Sequence, residues 1–461
     1  MKSLYQKYKP YYGDSLRLAI PVVFSQVGHT LVQTADSIIV GHFAGTVSLA
    51  AVSLVNSIFV IGLVIGLGVS YGITPLIAQH NGRKNYKECG NLLSNALVIN
   101  SITGIGLFVL ISIGMMKLIG HLDQAPAVVE QARPYLFLMG ISLMPLMLFN
   151  TFKQFAEGLG FTLQAMVISV AGNVLNVILG IIFVKGLFGV KPMGVAGVGY
   201  STLIDRCSMA VVMGIYVFRS KNFRIYLKDF AIRNVDRLRS LSILKIGAPV
   251  ALQYIFEISA FSGAAILIGT IGPVPQAAHQ IAINLAALTY MAASGISAAS
   301  AIKSGNYFGA KQHRDLRLSA VSNYHIVIVF MSMTAILFAF GNHLLPWMYT
   351  SDRSVIDIAA QLLIIAALFQ LFDGTQVVGL GILRGMGDVN MPTLFTMIAY
   401  WIVGLPIGYL LGIQFKMGVT GVWYGLVLGL LTSSLLLFIR FQIISRKHQF
   451  KQELIIARDE I

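Results

Sequence analysis

The chain has 461 residues, of which 56% are hydrophobic and only 11% are charged. A water-soluble globular protein carries about 25% charged residues, so this composition excludes a soluble domain. The formal net charge of +15 on its own would suit a nucleic-acid-binding protein. The basic residues are distributed as they are in membrane proteins, however, and we expect no nucleic-acid partner.

The apolar residues form runs long enough to cross a membrane, since a helix needs ~20 residues to span a ~30 Å hydrocarbon core. Lipid offers no hydrogen-bond partner to an open backbone, so each run predicts a helix, and the runs lack the alternation of barrel strands. The first run is too long for a cleaved signal peptide and is expected to remain as span 1. This all-α polytopic membrane protein has twelve predicted spans, at 15–40, 49–78, 92–119, 133–156, 163–189, 194–218, 243–271, 276–303, 316–344, 355–383, 392–415 and 419–445.

The basic residues are distributed unequally between the two sides of the membrane. If the N-terminus is cytoplasmic and the connections alternate, the inside segments hold 25 Lys and Arg and the outside segments hold six. This asymmetry is the positive-inside pattern. We therefore predict a multi-pass protein of the cytoplasmic (inner) membrane with both termini in the cytoplasm.

The two halves of the chain resemble each other at a nearly constant offset. At 224 residues, MGVAGVGY (193–200) aligns with MGVTGVWY (417–424), and at 228 Pro21 aligns with Pro249. An internal duplication explains these matches. At 227 the identities include Ala50, Ala51, Gly68, Ser70, Gly82 and Lys84 on Ala277, Ala278, Gly295, Ser297, Gly309 and Lys311.

The longest polar connection separates the halves and defines the predicted domains. They are an N-terminal six-helix bundle (1–218), a cytoplasmic linker (219–241), a C-terminal six-helix bundle (242–445) and a cytoplasmic tail (446–461). Six spans return the chain to the same side, so the bundles are predicted to be related by a pseudo-two-fold axis along the membrane normal. Duplicated bundles of this kind are common among alternating-access transporters, although a channel or scaffold can also be duplicated.

Three acidic residues lie deep in the spans, namely Asp36, Glu257 and Asp373. A charged side chain at mid-membrane costs ~2.5–3.5 kcal/mol on insertion scales, so such residues face a protein interior or a wet cavity and mark function by default. The neighbours Asp205 and Arg206 in span 6 do not face each other. We assign them no function and expect ion pairs to adjacent helices.

Amides accompany the acids along the same helical faces. Spacings of three and four residues place Gln33 beside Asp36 and Gln253 beside Glu257 on one side of their helices. Amides in membrane helices can line a cavity or merely hold helices together, and both interpretations stay open for each one. The candidate cavity amides are Gln33, Asn173, Asn176, Gln253, Gln280 and Asn284.

These features resemble the multidrug and toxic compound extrusion (MATE) family, and within it the NorM branch. The resemblance covers essentially the whole chain, and the LRGxGD ending near span 10 is rather specific. The motifs that carry it are QTADSIIVGHFAG (33–45), PVALQYIFEISAF (249–261), AAHQIAINLAALTY (277–290) and FDGTQVVGLGILRGMGD (372–388).

The resemblance implies an alternating-access antiporter that couples the export of lipophilic cationic drugs and toxins to Na⁺ or H⁺. In the NorM branch, acids matching Glu257 and Asp373 are linked to the coupling cation, and an aromatic matching Tyr290 is linked to cation contact. The acid matching Asp36 is linked to coupling or drug binding. Some NorM-type proteins carry a Tyr one turn before the span-10 Asp, where this chain has Phe369.

Another branch of the family pairs the span-1 Asp with an Asp in span 5. This chain has Asn173 and Asn176 in that region, which favours the NorM branch. The resemblance also implies a monomer in contact with membrane lipid, whose small-molecule partners are lipophilic cations.

The coupling ion stays open between sodium and a proton. Carboxylate oxygens of Glu257 and Asp373 suit a hard cation such as Na⁺. A proton can use the same pair, because two nearby buried carboxylates resist ionising together.

Three other classes of membrane protein have sequence features that can be compared with this chain. A lipid-linked sugar or lipid flippase of the same superfamily commonly adds two spans and lines its cavity with basic residues. A major-facilitator transporter would carry a GxxxDRxGRR-like run between spans 2 and 3, where this chain reads AQHNGRKNYKECG (78–90). The motifs HExxH, GxxxxGK[ST] and GxSxG do not occur in the sequence, so we expect neither an enzyme nor a bound cofactor.

Overall fold

The structure is a computed structural model and describes residues 2–119, 125–228 and 230–459. Within these ranges, twelve helical segments are long and apolar enough to cross a membrane. The prediction of an all-α polytopic protein with twelve spans is therefore confirmed. The spans are α1 (Gln6–Phe43), α2 (Thr46–Gly82), α3 (Tyr86–Met115), α4 (Pro126–Gly158), α5 (Thr162–Lys185), α6 (Val195–Arg219), α7 (Arg237–Gly269), α8 (Pro273–Gly309), α9 (His313–Phe340), α10 (Arg353–Gly385), α11 (Asn390–Gln414) and α12 (Gly418–Lys447).

Two of the spans, α2 and α4, are each divided by a single turn residue, and a proline follows shortly after each division. The first part of α2 ends at Tyr71, and the first part of α4 ends at Ile141. Pro75 and Pro145 follow four residues later. A proline has no N–H to donate to the carbonyl four residues earlier, and its ring clashes with that carbonyl. The helix therefore breaks there and restarts after one residue.

The internal duplication is visible in the backbone itself. Lys84 and Lys311, which the offset of 227 aligns, both have φ of 58°. Phe188 and Lys416, at an offset of 228, both have φ of 56°. Positive φ is uncommon for residues other than glycine, so its recurrence at matched positions supports a shared ancestry of the halves. Matched glycines with positive φ are Gly45 and Gly272, Gly160 and Gly387, and Gly194 and Gly418.

The contacts of the chain define two compact units. We call residues 24–251 the N-unit, and residues 1–23 together with 252–461 the C-unit. The predicted boundaries at 218 and 242 follow membrane topology, whereas the contacts divide the chain within α1 and within α7. The first part of α7 belongs to the N-unit because it packs backbone to backbone on α2. A Cβ on Gly247 would lie 2.7 Å from the Val69 carbonyl oxygen.

The segment between α6 and α7 and the first turn of α7 make polar contacts with the rest of the N-unit. Arg239 donates two hydrogen bonds to the Glu88 carboxylate, at 2.6 and 3.1 Å. The Tyr226 hydroxyl donates to Asn81 Oδ1 at 2.9 Å, and burial raises the pKa of Tyr226 to about 12. That hydroxyl therefore stays protonated, and remains a donor, at any physiological pH.

In the C-unit, α8 and α10 approach closely along small residues. A Cβ on Gly385 would lie 2.5 Å from the Ala301 carbonyl oxygen, and one on Gly381 would collide with the Ser297 carbonyl. Small residues one turn apart let two membrane helices pack backbone to backbone. This close packing fixes the register of α8 against α10.

The start of α1 belongs to the C-unit and makes three polar contacts within it. The Tyr11 hydroxyl donates to Asp315 Oδ1 at 2.6 Å. The Tyr12 hydroxyl lies 2.8 Å from His325 Nδ1. Lys303 and Asp14 form an ion pair at 3.5 Å.

Candidate functional site

The three residues that the resemblance links to the coupling cation lie together inside the C-unit. Glu257 on α7 is 6% exposed and Asp373 on α10 is 3% exposed, and their carboxylates interact electrostatically. The Tyr290 hydroxyl on α8 interacts with both carboxylates. We call this group the C-unit cluster. Tyr290 and Asp373 lie on α8 and α10, two neighbouring helices that pack closely against each other.

Two further residues of the cluster were not predicted as site residues. The Tyr400 hydroxyl, on α11, donates to Gln376 Oε1 at 3.1 Å and also interacts with the Glu257 carboxyl. The Arg384 guanidinium acts electrostatically on Glu257. The LRGxGD motif contains Arg384 and could have drawn attention to it. No sequence signal distinguished Tyr400 from the other aromatic residues of an apolar run.

The amides on either side of Asp373 retain unused donors. Gln370 Oε1 accepts a hydrogen bond from the Thr289 hydroxyl at 2.8 Å, and Gln376 Oε1 accepts from Tyr400. The Nε2 atoms of both glutamines are buried without a hydrogen-bond partner. Because an unpaired buried donor costs free energy, these groups favour an acceptor, such as water or a carboxylate oxygen, beside Asp373.

Phe369 lies one turn before Asp373 and contributes no polar group. It is buried, with its ring 6.1 Å from Phe261 and 5.7 Å from Trp423. A hydroxyl reaches the cluster from Tyr400 instead, whose ring lies 5.7 Å from Phe261.

A sodium ion at Glu257 and Asp373 would need further oxygen ligands. In the described part of the chain, no group of three or more His, Cys, Asp or Glu side chains is placed to hold a metal. The nearby groups are the phenolic hydroxyls of Tyr290 and Tyr400 and the amides flanking Asp373. Hydroxyl, amide and carboxylate oxygens are the donors that hard cations prefer, so the donor set fits sodium by chemistry.

A second buried group lies inside the N-unit. Asp36 on α1 is 6% exposed, and Asp205 and Arg206 on α6 are 3% and 4% exposed. Asp205 and Arg206 both act electrostatically on the Asp36 carboxylate. Arg206 Nη1 donates to Ser142 Oγ at 2.6 Å, and its guanidinium lies 5.0 Å from the centre of the Phe59 ring. We call Asp36, Asp205 and Arg206 the N-unit cluster.

The ion pairs expected for Asp205 and Arg206 are not formed at contact distance. Across residues 2–119, 125–228 and 230–459, no salt bridge of 4.0 Å or less involves either side chain. Arg206 bonds to a serine hydroxyl instead, so the guanidinium and the two carboxylates are close enough to interact but do not touch.

The predicted cavity amides fall into two groups. Asn176 is buried and donates to the Thr202 hydroxyl at 3.1 Å, while Asn173 Nδ2 lies against Gly28 of α1. Gln253 is buried one turn before Glu257. Gln280 Nε2 donates to Asn284 Oδ1 at 3.1 Å, so these two side chains of α8 are hydrogen-bonded to each other. The exposed members are Gln33, Gln280 and Asn284.

One buried pair was missed because it lies at the predicted end of span 4. Lys153 Nζ donates to Ser25 Oγ at 2.9 Å and lies 3.8 Å from Glu157 Oε1. Both residues are buried in α4. Lys153 and Arg206 both act electrostatically on His29. The spacing of four between Lys153 and Glu157 was the available signal, since it predicts a contact along one helix.

Twelve apolar helices in two matched halves, with carboxylates buried inside the helical units, define a polytopic membrane transporter. The MatE family profile matches residues 21–182 and 249–410, once in each half. Pro21 and Pro249, the pair aligned by the internal offset of 228, open the two matched ranges. The chain belongs to the MatE family.

Similar proteins extend over nearly the whole chain. A probable multidrug resistance protein NorM of Idiomarina loihiensis is 31% identical over 445 residues, which are 94% of this chain and 95% of that protein. The multidrug resistance protein NorM of Photobacterium profundum is 33% identical, with 93% and 94% of the two chains covered. These relatives confirm the NorM resemblance.

Solved structures share the fold at lower identity. A MATE transporter in a bent conformation superimposes with a TM-score of 0.88 at 20% identity and covers 98% of this chain and 99% of that one. An outward-facing multidrug resistance MATE family transporter also gives 0.88 at 20% identity, with 95% and 97% covered.

Proposed function

We propose that the protein is a cation-coupled antiporter that exports lipophilic cationic drugs and toxins by alternating access. Relatives named multidrug resistance protein NorM support the substrate class. The excess of Lys and Arg on one side supports placement in the inner membrane with both termini in the cytoplasm. Small lipophilic cations and membrane lipid are then its partners.

The C-unit cluster is the observation that carries this proposal. Two carboxylates, Glu257 and Asp373, share one buried site with the Arg384 guanidinium close by. With both acids ionised this group has a formal charge of −1, and binding of one Na⁺ or one proton neutralises it. A buried group with unbalanced charge is costly, so the site favours exchange of one cation for another.

An ion gradient supplies enough free energy for this export. One elementary charge crossing 100 mV yields ~2.3 kcal/mol, whereas a tenfold accumulation costs ~1.4 kcal/mol. One or two coupling ions per drug molecule therefore suffice.

The decisive experiment uses purified protein in proteoliposomes loaded with ethidium. A sodium gradient at equal pH is compared with a pH gradient in sodium-free buffer, and ethidium movement is followed by fluorescence. We expect movement under the sodium gradient, because the cluster offers hard oxygen ligands. Movement under the pH gradient alone would assign Glu257 and Asp373 to proton coupling. No movement under either gradient would contradict the proposed antiport.

The flippase alternative predicts a different result in the same vesicles. The N-unit does bury the basic residues Arg206 and Lys153, as a phosphate-binding cavity would require. Each lies beside acids, however, with Asp36 and Asp205 acting on Arg206 and Glu157 lying 3.8 Å from Lys153. Movement of a fluorescent phospholipid between leaflets, without ethidium movement, would support the flippase.

A further inference from the structure

The segment that joins α6 to α7 carries a dense set of exposed basic side chains. Because α6 ends at Arg219 and α7 begins at Arg237, both ends of the segment lie on the same side of the membrane. Of the seven Lys and Arg in 219–241, all except Arg239 are exposed. The exposed six are Arg219, Lys221, Arg224, Lys228, Arg233 and Arg237.

The charges of these six side chains are not balanced by ion pairs. Across residues 2–119, 125–228 and 230–459, no salt bridge of 4.0 Å or less involves any of them. In the same ranges Arg239 is the paired member of the segment, with Glu88 at 2.6 Å and Asp236 at 4.0 Å. Like charges held close together repel one another, so the exposed six favour an anionic partner.

Large apolar side chains are exposed among the basic ones. Ile225, Ile232 and Leu238 are 56%, 67% and 74% exposed. Apolar surface in water costs free energy in proportion to its area. Basic side chains interspersed with large apolar ones are typical of a segment that lies in the membrane interface. We call these three side chains and the exposed six together the linker surface.

The opposite side of the segment is hydrogen-bonded to α3. Asn95 Nδ2 donates to the Asn234 carbonyl at 3.3 Å. Asn95 Oδ1 accepts from the Asp236 N–H at 2.8 Å and from the Ser240 hydroxyl at 3.0 Å. One asparagine thus holds the backbone on both sides of the start of α7, and the linker surface remains free on the other side.

These contacts also place the segment at the depth of the lipid headgroups. Asn95 lies about 14 Å along α3 from Tyr86, where the helix begins. The predicted apolar run of this helix starts earlier, at the first residue of 92–119. A Cβ on Gly90 would collide with the Tyr226 carbonyl oxygen, so the earlier part of the segment lies against α3 as well. The segment therefore runs beside the first turns of α3, where the helix enters the hydrocarbon, and not beyond its end.

We propose that the linker surface binds the headgroups of anionic phospholipids. Its guanidinium and ammonium groups donate charge-assisted hydrogen bonds to the lipid phosphates. Its apolar side chains pack among the first carbons of the acyl chains. Because the leaflet concerned is the cytoplasmic one, this inference rests on the topology given with the proposed function.

An anionic lipid fits this surface better than a soluble acidic partner does. A soluble polyanion would bind the basic side chains and leave Ile225, Ile232 and Leu238 in water. A lipid offers phosphate and hydrocarbon in one layer. Zwitterionic lipids carry their own positive charge, so the attraction requires anionic ones. Membrane orientation alone requires basic residues to remain inside and does not require exposed apolar side chains among them.

The test measures which lipid is enriched beside the segment in the full-length protein. Asn222, an exposed residue between two of the basic side chains, is replaced by cysteine and labelled with bimane. Cys207→Ala removes the exposed native thiol, and Cys89 is buried. The vesicles contain phosphatidylcholine and phosphatidylglycerol in a fixed ratio, and a nitroxide quencher near the headgroup is carried by one lipid or the other at equal mole fraction.

We expect the phosphatidylglycerol nitroxide to quench bimane more strongly than the phosphatidylcholine nitroxide does. The expected enrichment at low salt is about fivefold, the factor that corresponds to one basic side chain beside an anionic surface. High salt should reduce the enrichment, because it screens exposed charges.

Two variants of equal charge locate the binding surface. Arg224→Gln/Arg233→Gln removes two positive charges from the linker surface and should abolish the preference for phosphatidylglycerol. Lys311→Gln/Arg314→Gln removes two exposed positive charges from the C-unit and should leave the preference unchanged. The comparison separates binding at this surface from the effect of net charge.

Four results would overturn the proposal. They are equal quenching by the two nitroxide lipids, a preference that persists in Arg224→Gln/Arg233→Gln, an equal loss in the C-unit control, and stronger competition by inorganic phosphate than by chloride at equal ionic strength. Thermal unfolding in detergent identifies variants that fail to fold. Ile232→Ser/Leu238→Ser then provides the second reading, with weaker quenching by both lipids expected.

The result is independent of the antiport experiment, because it uses no drug and no ion gradient. Symmetric vesicles carry the anionic lipid in both leaflets, so the result also does not depend on the orientation of the protein. Failure of lipid binding is therefore distinct from failure of the proposed function.

Discussion

Asp373 lies in the middle of the apolar helix α10, and its surroundings explain how a carboxylate is tolerated there. Within the C-unit it lies near another acid and two phenols, and the amides of Gln370 and Gln376 flank it one turn away on either side. The other acid and the phenols come from different helices, whereas the two amides lie on α10 itself. The cost of a membrane-buried acid is thus offset by groups from several helices.

We expect Asp373→Asn and Glu257→Gln each to abolish coupled ethidium export while the protein still folds. Each change is nearly isosteric and removes the charge to which the coupling cation binds, whereas burial of a neutral amide costs less than burial of a charge. Export is measured by fluorescence in a pump-deficient strain, with membrane levels checked by immunoblot. Asp357→Asn, an exposed acid on the same helix, is the control and should export normally. Full export by either cluster variant would reduce that carboxylate to a structural role.

At the scale of the helices, close packing sets where each side chain of the C-unit cluster lies. Gly381 and Gly385 allow α10 to contact the backbone of α8 at Ser297 and Ala301. This contact sets the register of the two helices, and with it the position of Tyr290 relative to Asp373. The site therefore depends on glycines that do not belong to it.

Gly385→Ala is expected to lower stability by about 1–3 kcal/mol, the usual cost of overpacking a tight contact. The added Cβ would meet the Ala301 carbonyl oxygen, which belongs to the backbone and cannot rotate away. The melting temperature in detergent measures the effect. Gly106→Ala on α3 is the matched control, because nothing lies within 4 Å of its Cβ position, and alanine favours helix over glycine. Equal melting temperatures for the two variants would show that α8 and α10 can separate without cost.

At the scale of the whole molecule, the topology prediction rests on charge. The segment 219–241 carries seven Lys and Arg. Two of its side chains, Arg239 and Tyr226, donate hydrogen bonds to Glu88 and Asn81. The connection between α5 and α6 carries only Lys191 beyond the end of α5. These two connections should lie on opposite sides of the membrane.

Single cysteines can test this orientation. Cys207 is exposed and Cys89 is buried, so Cys207→Ala supplies a background with low labelling. In intact cells, Lys221→Cys is expected to resist an impermeant maleimide, whereas Lys191→Cys should react. Both residues are exposed, so a difference in labelling reports the side of the membrane. Rapid labelling of Lys221→Cys and protection of Lys191→Cys would reverse the predicted topology.

The number of spans, their approximate limits and the duplication follow from the order of the amino acids. These features are local, because an apolar run of sufficient length crosses a bilayer whatever its neighbours are, and a duplication is a match between two stretches of the same sequence. Lys84 and Lys311 match as an identity at a fixed offset in the sequence. In the structure the two residues also share the same left-handed backbone conformation. Acids deep in the spans could be identified for the same reason, since their depth can be counted along the apolar run in which they lie.

Which of these side chains meet depends on how the helices pack against one another. Tyr400 interacts with Glu257, and Arg206 of α6 interacts with Asp36 of α1, although the partners in each pair are far apart in sequence. Such meetings depend on helix rotation and register, which are set by contacts such as those of Gly385 and Gly172 with neighbouring helices. Helical periodicity defines the face on which a residue lies but not the helix that the face contacts. The hydrogen bond between Gln280 and Asn284 therefore follows from their spacing on α8, whereas the cavity that these two side chains are expected to line stays a prediction.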